Sequence, residues 1–128
     1  MSKPTLGIIG GGQLGSMLSI AAKKLEIKTV IFCDNLDAPA QKFSDHFIHG
    51  SYDDIKKINE FLNKTDVITY EFENIPYQTL NTINKSKPVL PKPSVNRIVQ
   101  HRLAEKDFIN KLNIRTTMYS SVEDKSEI

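Results

Sequence analysis

The sequence predicts an α/β fold in which a parallel sheet of about five strands carries helices on both faces. Short apolar runs alternate with stretches of helical periodicity along the chain. Residues 28–33 form an apolar run typical of a strand that is covered on both sides in a parallel sheet. Residues 5–9 lead into Gly10-x-Gly12-x-x-Gly15, a spacing that joins a buried strand to a helix. These stretches together make one right-handed βαβ unit.

The remaining elements follow from apolar periodicity and from capping residues. Strands are predicted at residues 5–9, 28–33, 46–49, 66–70 and 89–90. Helices are predicted at residues 12–25, from a cap within 51–54 to residue 63, from Pro76 onward, and at 94–113. Residues 114–128 are expected to be strand-like at first and then to begin a further helix around residues 120–124.

Each predicted helix has regularly spaced apolar residues, and in the first three helices we expect these residues to face inward. They are Leu14, Leu18, Ala21, Ala22 and Leu25; Ile55, Ile58, Phe61 and Leu62; Tyr77, Leu80 and Ile83; and Ile98, Val99, Leu103, Phe108, Ile109 and Leu112.

Composition excludes several classes of function. The 128 residues suffice for one domain, or for one domain and a fragment of another. A net charge of +2 argues against nucleic acid or an anionic membrane as partner, and the apolar runs are too short to span a bilayer. The N-terminus lacks a signal-peptide pattern. The single cysteine, Cys33, excludes an internal disulfide, fits a cytoplasmic location and is expected to pack in the core.

The glycine turn, residues 10–15, is the first candidate site. Glycines permit positive φ and let a phosphate or another polar group approach backbone N–H donors at the positive end of a helix. The amide of Gln13 can donate and accept, or it can simply face solvent. The alternative for the whole turn is tight packing of helix on sheet without a ligand.

Charged residues after other strands give further candidates, each with two interpretations. Asp34 follows Gly10 at a distance that suits the ribose of a nicotinamide dinucleotide, or it caps the next turn. Glu71 and Glu73 stand at i and i+2 of a segment expected to be extended, so their carboxylates should point the same way. They either accept hydrogen bonds from an amine or from hydroxyl groups of a ligand, or they are solvated. Arg102 and Lys106, at i and i+4, share one helix face. Their side chains either bind a phosphate or form a solvated basic stripe.

The histidines do not suggest a metal site. Their spacing, and that of the cysteine, matches no zinc pattern, and no Ser–His–Asp arrangement is visible. We expect them at the surface or at strand ends. They are His46, His49 and His101.

Four stretches, taken together, resemble one enzyme family. They are residues 7–15, 37–40, 69–76 and 100–108, in the same order as in the family. They resemble the N-terminal part of 5-(carboxyamino)imidazole ribonucleotide synthase, an ATP-grasp ligase of de novo purine synthesis. The resemblance spans nearly the whole chain, and the stretches containing Glu73 and Arg102 are more specific than the glycine turn.

The resemblance implies a Rossmann-like pre-ATP-grasp domain at residues 1–93, and a linking helix with the start of the ATP-grasp domain at residues 94–128. The family uses ATP and bicarbonate to carboxylate the exocyclic amine of aminoimidazole ribonucleotide through carboxyphosphate, releasing ADP and phosphate and forming a C–N bond. Mg²⁺ and most of the ATP would be bound by the missing ATP-grasp domain. We therefore expect the chain alone to be inactive, as a fragment of the enzyme or as one piece of a split enzyme.

The resemblance also assigns residues. Those implied to bind the ribonucleotide are Gly10, Gly11, Gly12, Gln13, Leu14, Glu73 and Asn74, and Arg102 is implied to touch ATP. No catalytic or metal-binding residue is implied, and Asp34 loses its nicotinamide role. Ser16 stands where the family usually has Arg, which removes a cation beside the turn, and His101 replaces a frequent acid.

The sequence leaves the oligomeric state and two other functions open. Members of the family commonly form homodimers, which the sequence does not decide for this chain. Two other functions are carried as alternatives. One is an NAD(P)-binding domain of an oxidoreductase, and the other is a non-catalytic protein-interaction module.

Overall fold

The computed structural model describes residues 3–127 and has a parallel sheet at its centre. The strands are β1 (Leu6–Ile9), β2 (Thr29–Cys33), β3 (His46–His49) and β4 (Val67–Tyr70). They lie in the order β3-β2-β1-β4, and every pair is parallel. The predicted fold class is confirmed. In place of a fifth strand, Val89 makes a single parallel bridge to Ile68 on the outer side of β4.

Five α-helices cover the sheet or extend the chain beyond it within the described residues. They are α1 (Gln13–Lys24), α2 (Ile55–Lys64), α3 (Tyr77–Asn84), α4 (Pro93–Val99) and α5 (Arg102–Lys111). Short 3₁₀ turns occur at Pro39–Lys42 and Lys125–Glu127. Residues 114–124 form neither helix nor strand, so the expected elements there are absent; Ile128, where the further helix was expected to stop, lies outside the described residues.

The single helix predicted at residues 94–113 is wrong, because the chain breaks between α4 and α5. His101 has extended backbone angles, with φ −116° and ψ 110°. Its ring Nδ1 accepts a hydrogen bond from the Ala104 amide at 3.4 Å. His101 is therefore the N-cap of α5, which gives a role to the histidine that replaces an acid. None of the residues of α5 is buried, so its apolar side chains do not pack on the sheet.

The larger core lies between the sheet and helices α2 and α3. The ring of Phe32 on β2 packs against Phe61 of α2 and against Tyr52, with ring centroids 5.6 Å and 5.5 Å apart. The predicted inward residues of α2 are buried except for the first, Ile55, which is exposed. Leu80 and Ile83 of α3 are fully buried as predicted, whereas Tyr77 is only partly buried.

The predicted inward face of α1 is wrong except for Ala22, which is buried. The residues of α1 that are buried are Gly15, Ser16, Ser19 and Ala22. Leu14 is 54% exposed, and Leu18 and Leu25 are exposed as well. The helix lies so close to β1 that a Cβ on Gly15 would stand 2.9 Å from the carbonyl oxygen of Gly10. Only small side chains fit beneath α1, and its large apolar side chains therefore face outward.

Candidate functional site

The glycine turn lies at the carboxyl edge of the sheet, where β1 ends. Gly10 has a positive φ of 101°, a conformation that glycine adopts at little cost. Its amide donates to the carbonyl oxygen of Phe32 at 2.8 Å. Gly12 is the N-cap of α1, yet it offers no side-chain cap, and the first turn of the helix holds no acidic residue. The first amides of α1 therefore need acceptors from another part of the chain.

Glu71, the residue after β4, supplies these acceptors. Its Oε1 accepts from the Gly12 amide at 2.7 Å, and its Oε2 accepts from the Gly15 amide at 2.5 Å. A carboxylate at a helix N-terminus gains from the helix dipole and makes charge-assisted hydrogen bonds. The expectation that these amides are open to a ligand phosphate is therefore wrong for Gly12 and Gly15. Both are already bonded to a carboxylate of the same chain.

The same carboxylate explains the spacing of the glycines. A Cβ on Gly10 would lie 2.5 Å from Cγ of Glu71, and one on Gly12 would lie 2.9 Å from Oε1. A Cβ on Gly15 would lie 3.0 Å from Oε2. The first two distances are shorter than real Cβ contacts and the third is tighter than most, so the glycines make room for Glu71 whether or not a ligand binds.

Glu73 is more exposed than Glu71, although both line a depression of about 260 Å³ beside Val95 and Val99. Residues 71–75 form bends and turns and no strand, so the alternation that would point both carboxylates the same way does not hold. Glu73 and Asn74 are exposed. They line a cavity of about 400 Å³, here called the Glu73 cavity, which Glu71 does not line. Its other lining residues are Val99, Gln100, Arg102 and Glu105.

The end of α4 holds this segment from the other side. The Gln100 side-chain amide donates to the carbonyl oxygens of Glu73 and Ile75, both at 2.6 Å. The buried side chain of Asn96 donates to the same Ile75 oxygen at 3.0 Å. Sequence analysis missed both residues. The signal was a pair of amide side chains one turn apart on the helix that follows a polar loop.

Arg102 brings a cation to the Glu73 cavity. Its guanidinium donates to the carboxylate of Glu105 at 2.7 Å, and its side chain is 81% exposed. Lys106 turns to another depression, where its ammonium donates to Thr117 Oγ1 at 2.9 Å and lies 5.2 Å from the Tyr119 ring centroid. Arg102 also lines this depression, of about 520 Å³, so the two basic residues share a helix face as predicted. Only Arg102 lines the Glu73 cavity as well.

The other predicted binding residues belong to the glycine turn. Gly11 and Gly12 line a small cavity of about 140 Å³ with Asp34 and Tyr52. Leu14 lies in an apolar depression between α1 and β4, and the adjacent Gln13 is exposed. The structure therefore brings Glu73, Asn74 and Arg102 together, whereas Gly11, Gly12 and Leu14 line two other depressions.

Tyr52 and Cys33 stand behind the glycine turn. Tyr52 is 8% exposed, and its hydroxyl lies 3.9 Å from Sγ of Cys33. Burial, together with the nearby Cys33 and Asp34, raises the pKa of the Tyr52 hydroxyl well above its ordinary value of 10.0. Cys33 is buried in the smaller core, which confirms the packing role expected for it.

The part of the chain that the structure describes holds neither a metal-binding cluster nor a membrane-spanning helix. Residues 3–127 contain no cluster of three His, Cys, Asp or Glu side chains suited to a metal ion. The histidines are exposed, as predicted, and His49 Nε2 lies 3.2 Å from the Asp34 carbonyl oxygen. Among the same residues, no helix has both the length and the apolar character needed to cross a membrane.

Comparison with known proteins decides the family. A model of the ribonucleotide synthetase pre-ATP-grasp domain matches residues 3–100. The chain belongs to this family. It is 40% identical over 124 residues to N5-carboxyaminoimidazole ribonucleotide synthase of Brucella melitensis, a match that covers 97% of this chain and 34% of that protein. The resemblance found in the sequence is therefore confirmed.

Solved structures of pre-ATP-grasp relatives have the same fold. The N5-carboxyaminoimidazole synthetase of Staphylococcus aureus complexed with ADP superimposes with a TM-score of 0.90 at 35% identity, over 97% of this chain and 33% of that chain. The Aspergillus clavatus enzyme, in complex with ADP and 5-aminoimidazole ribonucleotide, gives 0.78 at 27% identity, over 88% and 30%. This chain spans about a third of the length of these relatives.

The geometry of the glycine turn bears on the nicotinamide alternative. A dinucleotide of that kind places its pyrophosphate on the first amides of the helix after β1. Here the amides of Gly12 and Gly15 are bonded to Glu71. A pyrophosphate would have to displace this carboxylate, so the turn argues against an NAD(P)-binding domain.

Proposed function

We propose that this chain supplies the ribonucleotide side of an N5-carboxyaminoimidazole ribonucleotide synthase, which carboxylates aminoimidazole ribonucleotide with ATP and bicarbonate. The observation that carries the proposal is the Glu73 cavity. Glu73, Asn74 and Arg102 line it together at the carboxyl edge of the sheet, where open α/β sheets bind their ligands. The relative from Aspergillus clavatus, of the same fold, was solved with ADP and 5-aminoimidazole ribonucleotide.

Each lining residue has a chemistry suited to this ligand. The Glu73 carboxylate would accept hydrogen bonds from an amine or from ribose hydroxyls, and Asn74 can donate as well as accept. Arg102 would contact a phosphate of ATP through its planar guanidinium. Gln13 and Leu14 would border the ribonucleotide with their exposed side chains. Gly10, Gly11 and Gly12 would border it with their backbone, since the Gly12 amide is bonded to Glu71.

The proposal also covers Mg²⁺, bicarbonate and ATP. Residues 3–127 contain no group of three His, Cys, Asp or Glu side chains that could hold a metal ion. We propose that Mg²⁺, bicarbonate and most of the ATP are bound by an ATP-grasp domain, with the boundary after residue 93. The chain alone would then be inactive. A homodimer and a cytoplasmic location complete the proposal.

A chimera tests the function directly. The matching N-terminal third of the Staphylococcus aureus synthetase is replaced by this chain, and phosphate release is measured with ATP, bicarbonate and aminoimidazole ribonucleotide. We expect turnover that requires all three substrates. Circular dichroism and thermal unfolding establish that the chimera is folded. A folded chimera without turnover would contradict the proposal.

Glu73→Gln in the chimera tests the site. Loss of a charge-assisted hydrogen bond should raise the KM for the ribonucleotide roughly tenfold, while the KM for ATP changes less than about twofold. Glu60→Gln, which alters an exposed glutamate of α2 paired with Lys57, is the matched control and should change neither. Unchanged kinetics in Glu73→Gln would remove Glu73 from the site. Tight NADH binding that depends on Asp34 would instead favour the oxidoreductase alternative.

A further inference from the structure

We propose that Glu71 is a positioning residue, which takes the anion position at the N-terminus of α1 and thereby fixes where Glu73 and Asn74 stand. This role rests on the proposed function of Glu73 and Asn74 as ribonucleotide contacts. Glu71 itself is half-buried in the glycine turn and is not a contact of the Glu73 cavity.

The first argument is the geometry of the Glu71 carboxylate. Both of its oxygens accept backbone hydrogen bonds, from Gly12 at 2.7 Å and from Gly15 at 2.5 Å. Two hydrogen bonds to two amides of one helix turn fix both the position and the rotation of the carboxylate. The Glu71 side chain occupies the space that a Cβ on Gly10 would need, since that Cβ would lie 2.5 Å from Cγ of Glu71. The beginning of the loop after β4 is therefore tied to α1.

The second argument is the anchoring of the other end of the loop. Ile75 is fully buried, and its carbonyl oxygen accepts from both Gln100 and Asn96. Glu73 and Asn74 lie between this anchor and Glu71, in a stretch without helix or strand. A loop of this kind takes its shape from its end points. Loss of either anchor should therefore move the two exposed residues that line the cavity.

A helix cap with no further role is the competing explanation for Glu71. Such a cap would stabilise α1 and leave the loop unchanged when removed. The two explanations differ in a local observable, which is the position of the Glu73, Asn74 and Ile75 backbone in a variant that remains folded.

The experiment uses the isotopically labelled 128-residue chain and amide NMR. In the wild type, a through-hydrogen-bond coupling between ¹⁵N of Gly15 and the carboxylate carbon of Glu71 is expected. In Glu71→Ala, we expect amide exchange at Gly12 and Gly15 to accelerate roughly tenfold or more. We also expect the amide resonances of Glu73, Asn74 and Ile75 to shift. An excess of formate, a carboxylate small enough for the vacated place, should reverse both effects.

The matched control is Asp45→Ala. The Asp45 carboxylate accepts from the Thr29 amide at 2.8 Å, at the opposite edge of the sheet. Its removal also deletes a carboxylate-to-amide hydrogen bond, but it should leave the resonances of Glu73–Ile75 in place and show no response to formate. A shift of equal size in Asp45→Ala would mean that the loop responds to general destabilisation, and it would overturn the proposal.

Glu71→Gln keeps the test decisive if Glu71→Ala does not fold. Its amide group has one oxygen and one NH₂, so it can accept from only one of the two glycine amides. We expect smaller shifts at Glu73 and Asn74 in the same sense. If either folded variant changes Gly12 and Gly15 while residues 73–75 keep their wild-type resonances, Glu71 is a helix cap only and the proposal fails.

Kinetics of the chimera separate this proposal from the function on which it rests. In an active chimera, Glu71→Ala should raise the KM for the ribonucleotide with little change in the KM for ATP, and formate should restore it. An inactive, folded chimera contradicts the proposed function, yet the NMR result still decides the positioning role. An active chimera in which Glu71→Ala leaves the ribonucleotide KM unchanged contradicts the positioning role alone.

Discussion

The glycine turn and the Glu73 cavity lie at the same edge of the sheet, but they use their polar groups in opposite ways. In the turn, the amides of Gly12 and Gly15 are bonded to Glu71 inside the protein. In the cavity, Glu73 is exposed, and Arg102 keeps most of its surface open although it pairs with Glu105. The difference indicates that the recognisable motif contributes mainly to stability, while the irregular segment beside it offers the groups that a ligand can reach.

The largest effect on stability is expected for Gly10→Ala. The new Cβ would require a positive φ of 101° and would stand 2.5 Å from Cγ of Glu71. Backbone strain and overpacking should together lower the free energy of unfolding by about 3 kcal/mol, measured by urea denaturation. The control is Gly50→Ala, whose Cβ would lie 2.7 Å from Cγ of Lys57 but, unlike that of Gly10, requires no positive φ. We expect Gly50→Ala to lower the free energy of unfolding by about 1 kcal/mol. If both variants lowered it equally, the glycine turn would not be packed more tightly than the surroundings of Gly50.

Alkaline pH should weaken the region behind the turn. The raised pKa of Tyr52 means that the folded protein keeps this proton when the unfolded chain, with a pKa near 10.0, releases it. The stabilisation is fully present below pH 10 and is lost above it, by about 1.4 kcal/mol for each pH unit. Urea unfolding between neutral pH and pH 11 should therefore show a shallower decline for Tyr52→Phe than for the wild type. Parallel declines would show that Tyr52 ionises without penalty. Tyr70, whose pKa burial also raises, accounts for part of the remaining slope.

Ser19→Ala tests the tight packing of α1 with a smaller effect. Ser19 is fully buried beneath the helix, and its hydroxyl has no hydrogen-bond partner among the described residues. Replacing it by Ala removes an unsatisfied polar group and should raise the free energy of unfolding by about 1 kcal/mol in urea denaturation. A clear loss of stability would indicate that the hydroxyl is satisfied in solution.

The smallest effect is expected in the cavity. Glu105→Gln removes the exposed ion pair with Arg102 and should lower the free energy of unfolding by only about 0.5 kcal/mol. Comparison of its thermal unfolding with that of Gly10→Ala measures the contrast between the two regions. A loss as large as that of Gly10→Ala would mean that the cavity, too, is part of the packed framework.

Apolar periodicity predicted the helices correctly where a helix packs through large side chains. Ile58 and Phe61 of α2 cover an open face of the sheet, and their spacing located them. The same rule failed for α1, because its distance from β1 is set by the contact of Gly15 with Gly10. Sequence does not reveal how closely a helix will approach a strand, so the outward direction of Leu14 could not be predicted.

Sequence predicted some residues of the candidate site and missed others, because some contacts depend on the order of the strands. Glu73 and Arg102 were candidates because of their places in the sequence, the family resemblance assigned their roles, and the structure brings them to one cavity. The role of Glu71 was missed, because it depends on β4 lying beside β1, and strand order is not visible in the sequence. A clue was present nevertheless: α1 begins at Gly12 with neither a capping side chain nor an acid in its first turn.

The carboxylate in the glycine turn also bears on protein engineering. Glycine spacing alone would select this scaffold for grafting a nicotinamide or flavin pocket, since the strand, turn and helix have the right order. Such a graft would have to evict Glu71 first. If Glu71 positions the loop as proposed, a turn redesigned to admit a pyrophosphate would also release the end of the loop that carries Glu73, and the proposed ribonucleotide contact would be lost with it.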